Sequence, residues 1–411
     1  MDIDLCSGLK AHPSPALTEA LQQRIARDFE PRWTQDWAGR SLLEGSAPGP
    51  NAVRLDGNDY LAVTGHPDIV AAQVSALLQD RQSVVQSGLF QRDEHPARAL
   101  ERQLAAWTGK EDALLCQSGY VANMAAMQCL ADAGTPVYID ALAHASLWEG
   151  IRAARAVPRP FRHNDPEHLV RMMKVHGPGL VAVDSVYSTT GAVCQLAAMV
   201  DAVEGHGSML LVDESHSLGT HGPRGAGLCA ALGLTDRVHF ISASLAKAVA
   251  GRAGFFTLPA RLRPYIITAS FPTMFSSCLL THEVVGLQAT VTLLQQADRA
   301  RERLHDVTRR IRSALGCIGY WLQGSEQILA LEIGSEIAAR DLRDAMEARG
   351  VFGSIFFPPA TSRNRSMVRL TLNAGLTESE LDHLVTVMAE MVRRFKPDDW
   401  PVARRMRKSV A

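Results

Sequence analysis

The chain has no C-x-x-C pair, and its seven cysteines are scattered at spacings that match no zinc pattern. They read as reduced thiols of a reducing compartment, not as a disulfide framework. No apolar run approaches the length needed to cross a bilayer. Residues 1–15 are polar and broken by proline, without the basic start and apolar core of a secretory leader. Net charge is almost missing too, at -1, so no global field points toward nucleic acid or an acidic membrane. There is no internal repeat and no low-complexity tract. These absences lead us to expect a cytoplasmic globular protein with neither a nucleic-acid partner nor a membrane span.

What is present is a chain of 411 residues with 46% apolar content, enough for two domains with real cores. Residues 1–50 read as an N-terminal arm, with a helix around Pro15–Phe29 and a Gly/Pro-rich linker, Glu44–Pro50. Residues 51–280 read as a large domain, 281–396 as a smaller C-terminal α/β domain, and 397–411 as a basic tail, solvated and frayed. In the large domain short apolar runs alternate with helical patterns, the signature of an α/β fold with a mostly parallel central sheet covered on both faces. The expected strands are Ala113–Cys116, Pro136–Ile139, Leu180–Val183, Met209–Val212, Val238–Ser242 and Phe255–Leu258. A single long helical segment is expected over Thr281–Leu315, with apolar residues at 3–4 spacing.

Polar residues gather just after these runs. Ser118, Gly119 and Tyr120 follow the first, His144 the second, and Asp184 and Ser188 the third. Asp213 and His216 follow the fourth, and Ser244 and Lys247 the fifth. In open α/β sheets ligands bind beyond the carboxyl ends of the strands, so five loops offering polar groups there define a candidate site.

Lys247 is flanked by Ala246, Ala248, Val249, Ala250 and Gly251, small apolar neighbours that desolvate an ammonium and favour the neutral amine. The alternative is an ordinary surface lysine. Asp213 ends an apolar run and on its own reads equally as a turn or cap aspartate. Together an imine-forming lysine and a buried carboxylate are what pyridoxal 5'-phosphate (PLP) chemistry needs, the acid keeping the pyridine nitrogen protonated. A rival reading groups Asp213, Glu214, His216 and His221 as a metal site, but it leaves the lysine without a purpose, and no metal is expected at the site. Ser118-Gly119-Tyr120 stands before a helical segment, Val121–Leu130, and reads either as a plain serine cap or as an anion-binding helix start. Gly222–Gly227 reads as a turn-rich connection, since no Lys-Ser/Thr follows to make a phosphate loop. Arg369 alternates with Val368 and Leu370 on a strand and can grip a carboxylate with two parallel hydrogen bonds, or else is an exposed strand arginine.

From about Asn58 to Asn373 the chain resembles the α-oxoamine synthases, PLP-dependent enzymes of fold type I. The stretches Asp140–Gly150, Val183–Ser188, Val212–Gly222 and Gly350–Ser354 resemble most closely the subgroup of autoinducer synthases that make α-hydroxyketone or α-aminoketone signals. The resemblance implies that Lys247 carries PLP and that Asp213 pairs with its ring nitrogen. It puts His216 and Ser188 at the ring hydroxyl and His144 on the ring face, with Asp184 in the same cofactor set. The phosphate is to be met by the backbone of Gly119 and Tyr120, next to Ser118, and by the Ser244 hydroxyl. Ser276 and Ser277 are to reach the phosphate of a second subunit, which implies a homodimer with shared active sites. Asn58 and Arg369 are to hold the amino-acid carboxylate. Lys247, His144, Asp213 and His216 form the implied catalytic set.

The implied reaction is a decarboxylating condensation of a small amino donor, 2-aminobutyrate-like or S-adenosylmethionine, with a medium-chain acyl-CoA. Asp184 stands where aminooxononanoate synthases usually have glutamate, and Ser185 where they have glycine. Pro358–Met367 also departs from that branch's pattern. These departures favour the signal synthase over 8-amino-7-oxononanoate synthase, the main alternative. A PLP aminotransferase or lyase shares the lysine and aspartate without needing acyl-CoA. A cofactor-binding regulator with a dead site is disfavoured by the presence of Lys247, Asp213, His216 and His144.

Overall fold

A computed structural model describes residues 15–80 and 85–410. The start of the arm, residues 1–14, and Ala411 of the tail lie outside the described residues. Eleven strands are found among the described residues: β1 (Val53–Leu55), β2 (Asp112–Cys116), β3 (Pro136–Asp140), β4 (Val157–Phe161), β5 (Leu180–Asp184), β6 (Met209–Asp213), β7 (Phe240–Ser244), β8 (Gly254–Leu258), β9 (Ile328–Gly334), β10 (Val351–Phe356) and β11 (Ser366–Thr371).

Seven strands form the central sheet in the order β2-β8-β7-β6-β5-β3-β4. β8 is antiparallel to both of its neighbours and every other pairing is parallel. Burial on both faces explains why these strands read as continuous apolar runs: every residue from Leu180 to Asp184 is buried. The strand order reverses between β3 and β5, since β4 lies on one side of β3 and β5–β7 on the other. That reversal opens a crevice at the carboxyl ends of β3 and β5, where ligands bind in such sheets.

A second sheet runs β1-β10-β11-β9, with β1 parallel to β10 and the other pairs antiparallel. Val53–Leu55, inside the stretch 51–280 expected to form the large domain, is a strand of the second sheet instead. Its alternation explains the placement: Val53 and Leu55 are buried in one core with Leu329, Val351 and Leu370, while Arg54 is exposed.

The expected long helix is two, Thr281–Leu294 and Asp298–Cys317, separated at 295–297. The second buries Leu304, Val307, Ile311 and Leu315 at helical spacing against the two cores. The expected Pro15–Phe29 helix runs over Glu19–Asp28, and the arm beyond it docks on the second unit through Arg32–Glu336 (2.7 Å) and Arg343 on the Leu42 carbonyl (2.6 Å). The basic tail is not frayed. Pro401–Val410 is helical, Trp400, Val402 and Ala403 are buried, and Arg405 pairs with Glu332. Those apolar residues at the head of the tail give it a face to bury, which its run of arginines masked.

Candidate active site

The residues expected after the strands converge on one cavity of about 220 Å³ at the β3/β5 reversal. Ser118, Gly119 and Tyr120 line it from the first loop, and His144, Asp184 and Ser188 from the next two. Asp213, His216, Ser244 and Lys247 complete the set. Asn58 and Arg369 are joined to it through hydrogen bonds. Ser276 and Ser277 are not among its lining; they lie on the surface, where Gln117 Nε2 donates to Ser276 Oγ (2.8 Å) and to the Ser277 carbonyl (2.6 Å).

The floor is built around Asp213 at the end of β6. One carboxylate oxygen accepts from Asn123 Nδ2 at 2.6 Å and the other from the Ser215 backbone N–H at 2.8 Å. Asn123 is buried on the Gly119–Leu130 helix, and its own carbonyl accepts from Ser242 Oγ (2.6 Å) while its amide also donates to Ser146 Oγ (2.8 Å). Two strands and two helix starts thus fix one carboxylate. His216 lies beside it, fully buried, with Nδ1 2.6 Å from the Tyr60 hydroxyl. Burial, with Lys247 and Arg369 nearby, holds its pKa well below the usual histidine value, so the ring is neutral.

The Gly119–Leu130 helix starts two residues earlier than expected, and Ser118 does cap it, its Oγ accepting from the Val121 N–H at 3.2 Å. The two readings of that serine are therefore compatible, since the capped helix start also faces the cavity. Any Cβ on Gly119 would come within 2.4 Å of the Ser244 Cβ, so only glycine lets the two loops close on each other. The Ser244 backbone N–H is held by Ser215 Oγ at 2.8 Å.

At the crevice itself the His144 backbone N–H donates to the Asp184 carboxylate at 3.1 Å, tying the β3 loop to the end of β5. Burial and the neighbouring Asp213 push the Asp184 carboxyl well above its usual pKa. His144 Nδ1 is 2.7 Å from Ser146 Oγ, and its ring stands edge to face with Tyr120 at 6.4 Å. Desolvation lowers its pKa as well.

Lys247 is half-buried, and desolvation, reinforced by Arg369 and opposed by Asp213, brings its amine down to about 8. Arg369 projects from β11 toward the same region. It donates to the Ser188 carbonyl at 2.9 Å and to Asn58 Oδ1 at 3.1 Å, and its guanidinium lies 4.5 Å from the Phe356 ring centre. Its Nε is buried without a partner. An orphaned guanidinium donor, a depressed lysine, a braced carboxylate and a helix start lined by Ser118 and Ser244 match the carboxylate of an amino acid and the aldehyde, ring nitrogen and phosphate of PLP. The residues present fit that cofactor.

The rival metal set is dispersed. The Glu214 carboxylate turns away from Asp213 and accepts from the backbone N–H groups of Leu228 and Cys229, both at 2.7 Å, and from the Ser217 hydroxyl. Gly227 is needed there, because a Cβ would sit 2.5 Å from Glu214 Oε2. Sequence reasoning missed Asn123, Tyr60, Ser146 and Ser215. Asn123 left a signal, being the single polar side chain in the run Val121–Met127.

Comparison with known proteins follows this geometry. The profile of the aminotransferase class I and II family matches residues 50–388. The CAI-1 autoinducer synthase of Vibrio campbellii (strain ATCC BAA-1116) is 40% identical over 381 residues, covering 93% of this chain and 96% of that protein. The 8-amino-7-oxononanoate synthase of Anaeromyxobacter dehalogenans (strain 2CP-C) is 31% identical, covering 90% of this chain and all of that one (100%). A solved variant of serine palmitoyltransferase from S. paucimobilis with a bound PLP–myriocin aldimine superposes with a TM-score of 0.84 at 25% identity, covering 92% of this chain and 100% of that one.

Proposed function

This chain belongs to the aminotransferase class I and II family as a PLP-dependent α-oxoamine synthase, an acyltransferase, and from that premise we propose that it makes the α-aminoketone precursor of an autoinducer. The observation that carries this reading is the 40% identity to a CAI-1 autoinducer synthase across 93% of the chain. The substrates are a medium-chain acyl-CoA and a small amino donor, 2-aminobutyrate-like or S-adenosylmethionine. A bond forms between the donor's α-carbon and the thioester carbonyl, coenzyme A leaves, and the donor's carboxylate departs as carbon dioxide.

PLP, when bound, supplies an electron sink for the pair left on the amino-acid α-carbon. Lys247 would hold the cofactor, and its Nζ, an amine brought down to about 8, is suited to take up the α-proton of the donor. Asp213, fixed by Asn123 and Ser215, would pair with the cofactor's ring nitrogen and favour its protonated form. His216, held by Tyr60, and Ser188 would contact the cofactor's ring hydroxyl, and His144, tied to Asp184, would contact the ring. Gly119 and Tyr120 at the helix start, flanked by Ser118, and Ser244 would hold the phosphate. Arg369, steadied by Asn58, grips the donor carboxylate and so decides which α-bond is presented for cleavage.

Beside the cavity, a second hollow of about 260 Å³ is lined by Leu142, Trp148, Ala360 and Met367. Its apolar wall suits an acyl chain. Val74, Leu77 and Leu78 on the Pro67–Gln79 helix are exposed, as are Phe271 and Phe275 just before Ser276 and Ser277; a second copy covering Phe271 and Phe275 would bring those serines toward the partner's site.

The test is coenzyme A release by PLP-loaded enzyme. Release with medium acyl-CoAs and either donor supports the reading. Release confined to dicarboxylic or short acyl groups would move the chain to the 8-amino-7-oxononanoate branch.

A further inference from the structure

Outside the cavity, three metal-binding side chains meet where the two units join. His221 lies in the turns after β6, His305 on the Asp298–Cys317 helix, and Glu326 just before β9. One ligand atom from each lies within 4.8 Å of the others. His221 Nε2 is 3.0 Å from Glu326 Oε2, and the two imidazoles stand edge to face at 5.2 Å.

Both rings are braced through a nitrogen by the same residue. Thr220 Oγ1 is 2.9 Å from His221 Nδ1, and the Thr220 carbonyl accepts from His305 Nε2 at 2.9 Å. A ring nitrogen held by a carbonyl or hydroxyl is how proteins fix the tautomer of a metal-ligating histidine. It leaves His221 Nε2 and His305 Nδ1 to face a cation with the Glu326 carboxylate. That carboxylate is oriented in turn, its Oε1 accepting from Ser325 Oγ at 3.0 Å. The His221 and Glu326 side chains keep 11% and 15% exposure, so an ion and its water can reach them.

We propose that His221, His305 and Glu326 form a binding site for a divalent cation of the Zn²⁺ class, separate from the catalytic cavity. Two imidazoles and one carboxylate with a water in the fourth position make an N₂O₂ tetrahedron. Bonds of about 2.0–2.1 Å put tetrahedral donors about 3.4 Å apart, so the His221–Glu326 pair is already at contact distance and the other separations need contract by at most about 1.4 Å. Three segments distant in sequence are thereby fastened. The effect reaches the catalytic cavity, because Gln327, next to Glu326, donates to the His216 carbonyl at 3.0 Å. The cation is a structural clamp behind the cofactor and takes no part in the condensation.

The experiment is equilibrium dialysis of chelator-stripped, PLP-loaded enzyme against Zn²⁺, read by elemental analysis, with Co²⁺ as a spectroscopic probe. Wild type is expected to bind one cation per chain, to show the visible bands of tetrahedral Co²⁺, and to melt at a higher temperature with Zn²⁺ present. His305→Gln and Glu326→Gln should each weaken binding at least tenfold and abolish the Co²⁺ bands, while His66→Gln, at an exposed helix cap, binds as wild type. Retained PLP absorbance certifies that each variant is folded, and the two variants report independently. Equal uptake by wild type and both variants, or no uptake by wild type, would overturn the proposal and leave a hydrogen-bonded triad without a metal.

Discussion

Asn123 donates to Asp213 Oδ2 at 2.6 Å while its own carbonyl receives the Ser242 hydroxyl at the same distance. A buried amide so placed can point only its NH₂ at the carboxylate, which leaves Asp213 the acceptor and fixes its direction. Asn123 is thus a positioning residue for Asp213, the group we propose to pair with the cofactor nitrogen.

Asn123→Ala removes a hydrogen bond to a charged group, worth about 1.5–3 kcal/mol. PLP retention should fall about 10- to 150-fold, with a shift in the visible absorbance maximum that a purely structural loss would not produce. Equilibrium dialysis of cofactor and a spectrum of the loaded variant check both.

Tyr60→Phe leaves His216 Nδ1 buried without its partner, and should cost about 1–3 kcal/mol in denaturant unfolding. The pH dependence follows from the same ring. Its folded pKa lies well below the ordinary 6.5, so below about pH 6.5 the unfolded chain binds a proton that the folded one refuses. Stability therefore falls as pH drops through that value. Unfolding curves for wild type and His216→Asn should converge on acidification, because the variant lacks this loss.

Lys247 offers a second sign. A cationic group with its pKa lowered from 10.5 to about 8 is a neutral amine over more of the neutral range. The rate at which cofactor-free enzyme captures PLP should rise with pH through about 8 and level off well before 10. Stopped-flow absorbance gives the profile, and Lys247→Ala should show no visible band at all.

Arg369→Lys keeps the charge but loses the planar fork that spans Asn58 and the Ser188 carbonyl. KM for the amino donor should rise about tenfold or more, while KM for acyl-CoA changes little. Steady-state kinetics with each substrate varied in turn separates the two.

Much of this was legible before the structure because burial on both faces writes a strand as an apolar run, and because the polar residues follow those runs directly. β4 was not legible: Val157–Phe161 carries Pro158 and Pro160, which argue against a strand. Both prolines are tolerated because β4 is an edge strand pairing only with β3, and residues two apart send their missing N–H groups to the same open side. β1 was missed as a strand because its partner, β10, is almost 300 residues away and no local pattern records such a pairing. Tyr60 gave no signal either, since a tyrosine in a polar loop is unremarkable until His216 is placed against it.

The central claim is that one active site joins an acyl group to a decarboxylated amino acid. Mass spectrometry of the product from PLP-loaded enzyme, given a medium-chain acyl-CoA and a carboxyl-labelled amino donor, tests it most directly. The account predicts an α-aminoketone whose mass contains the acyl chain and the donor's remaining carbons, with the label released as carbon dioxide. A keto acid that retains the label, formed without coenzyme A release, would contradict it.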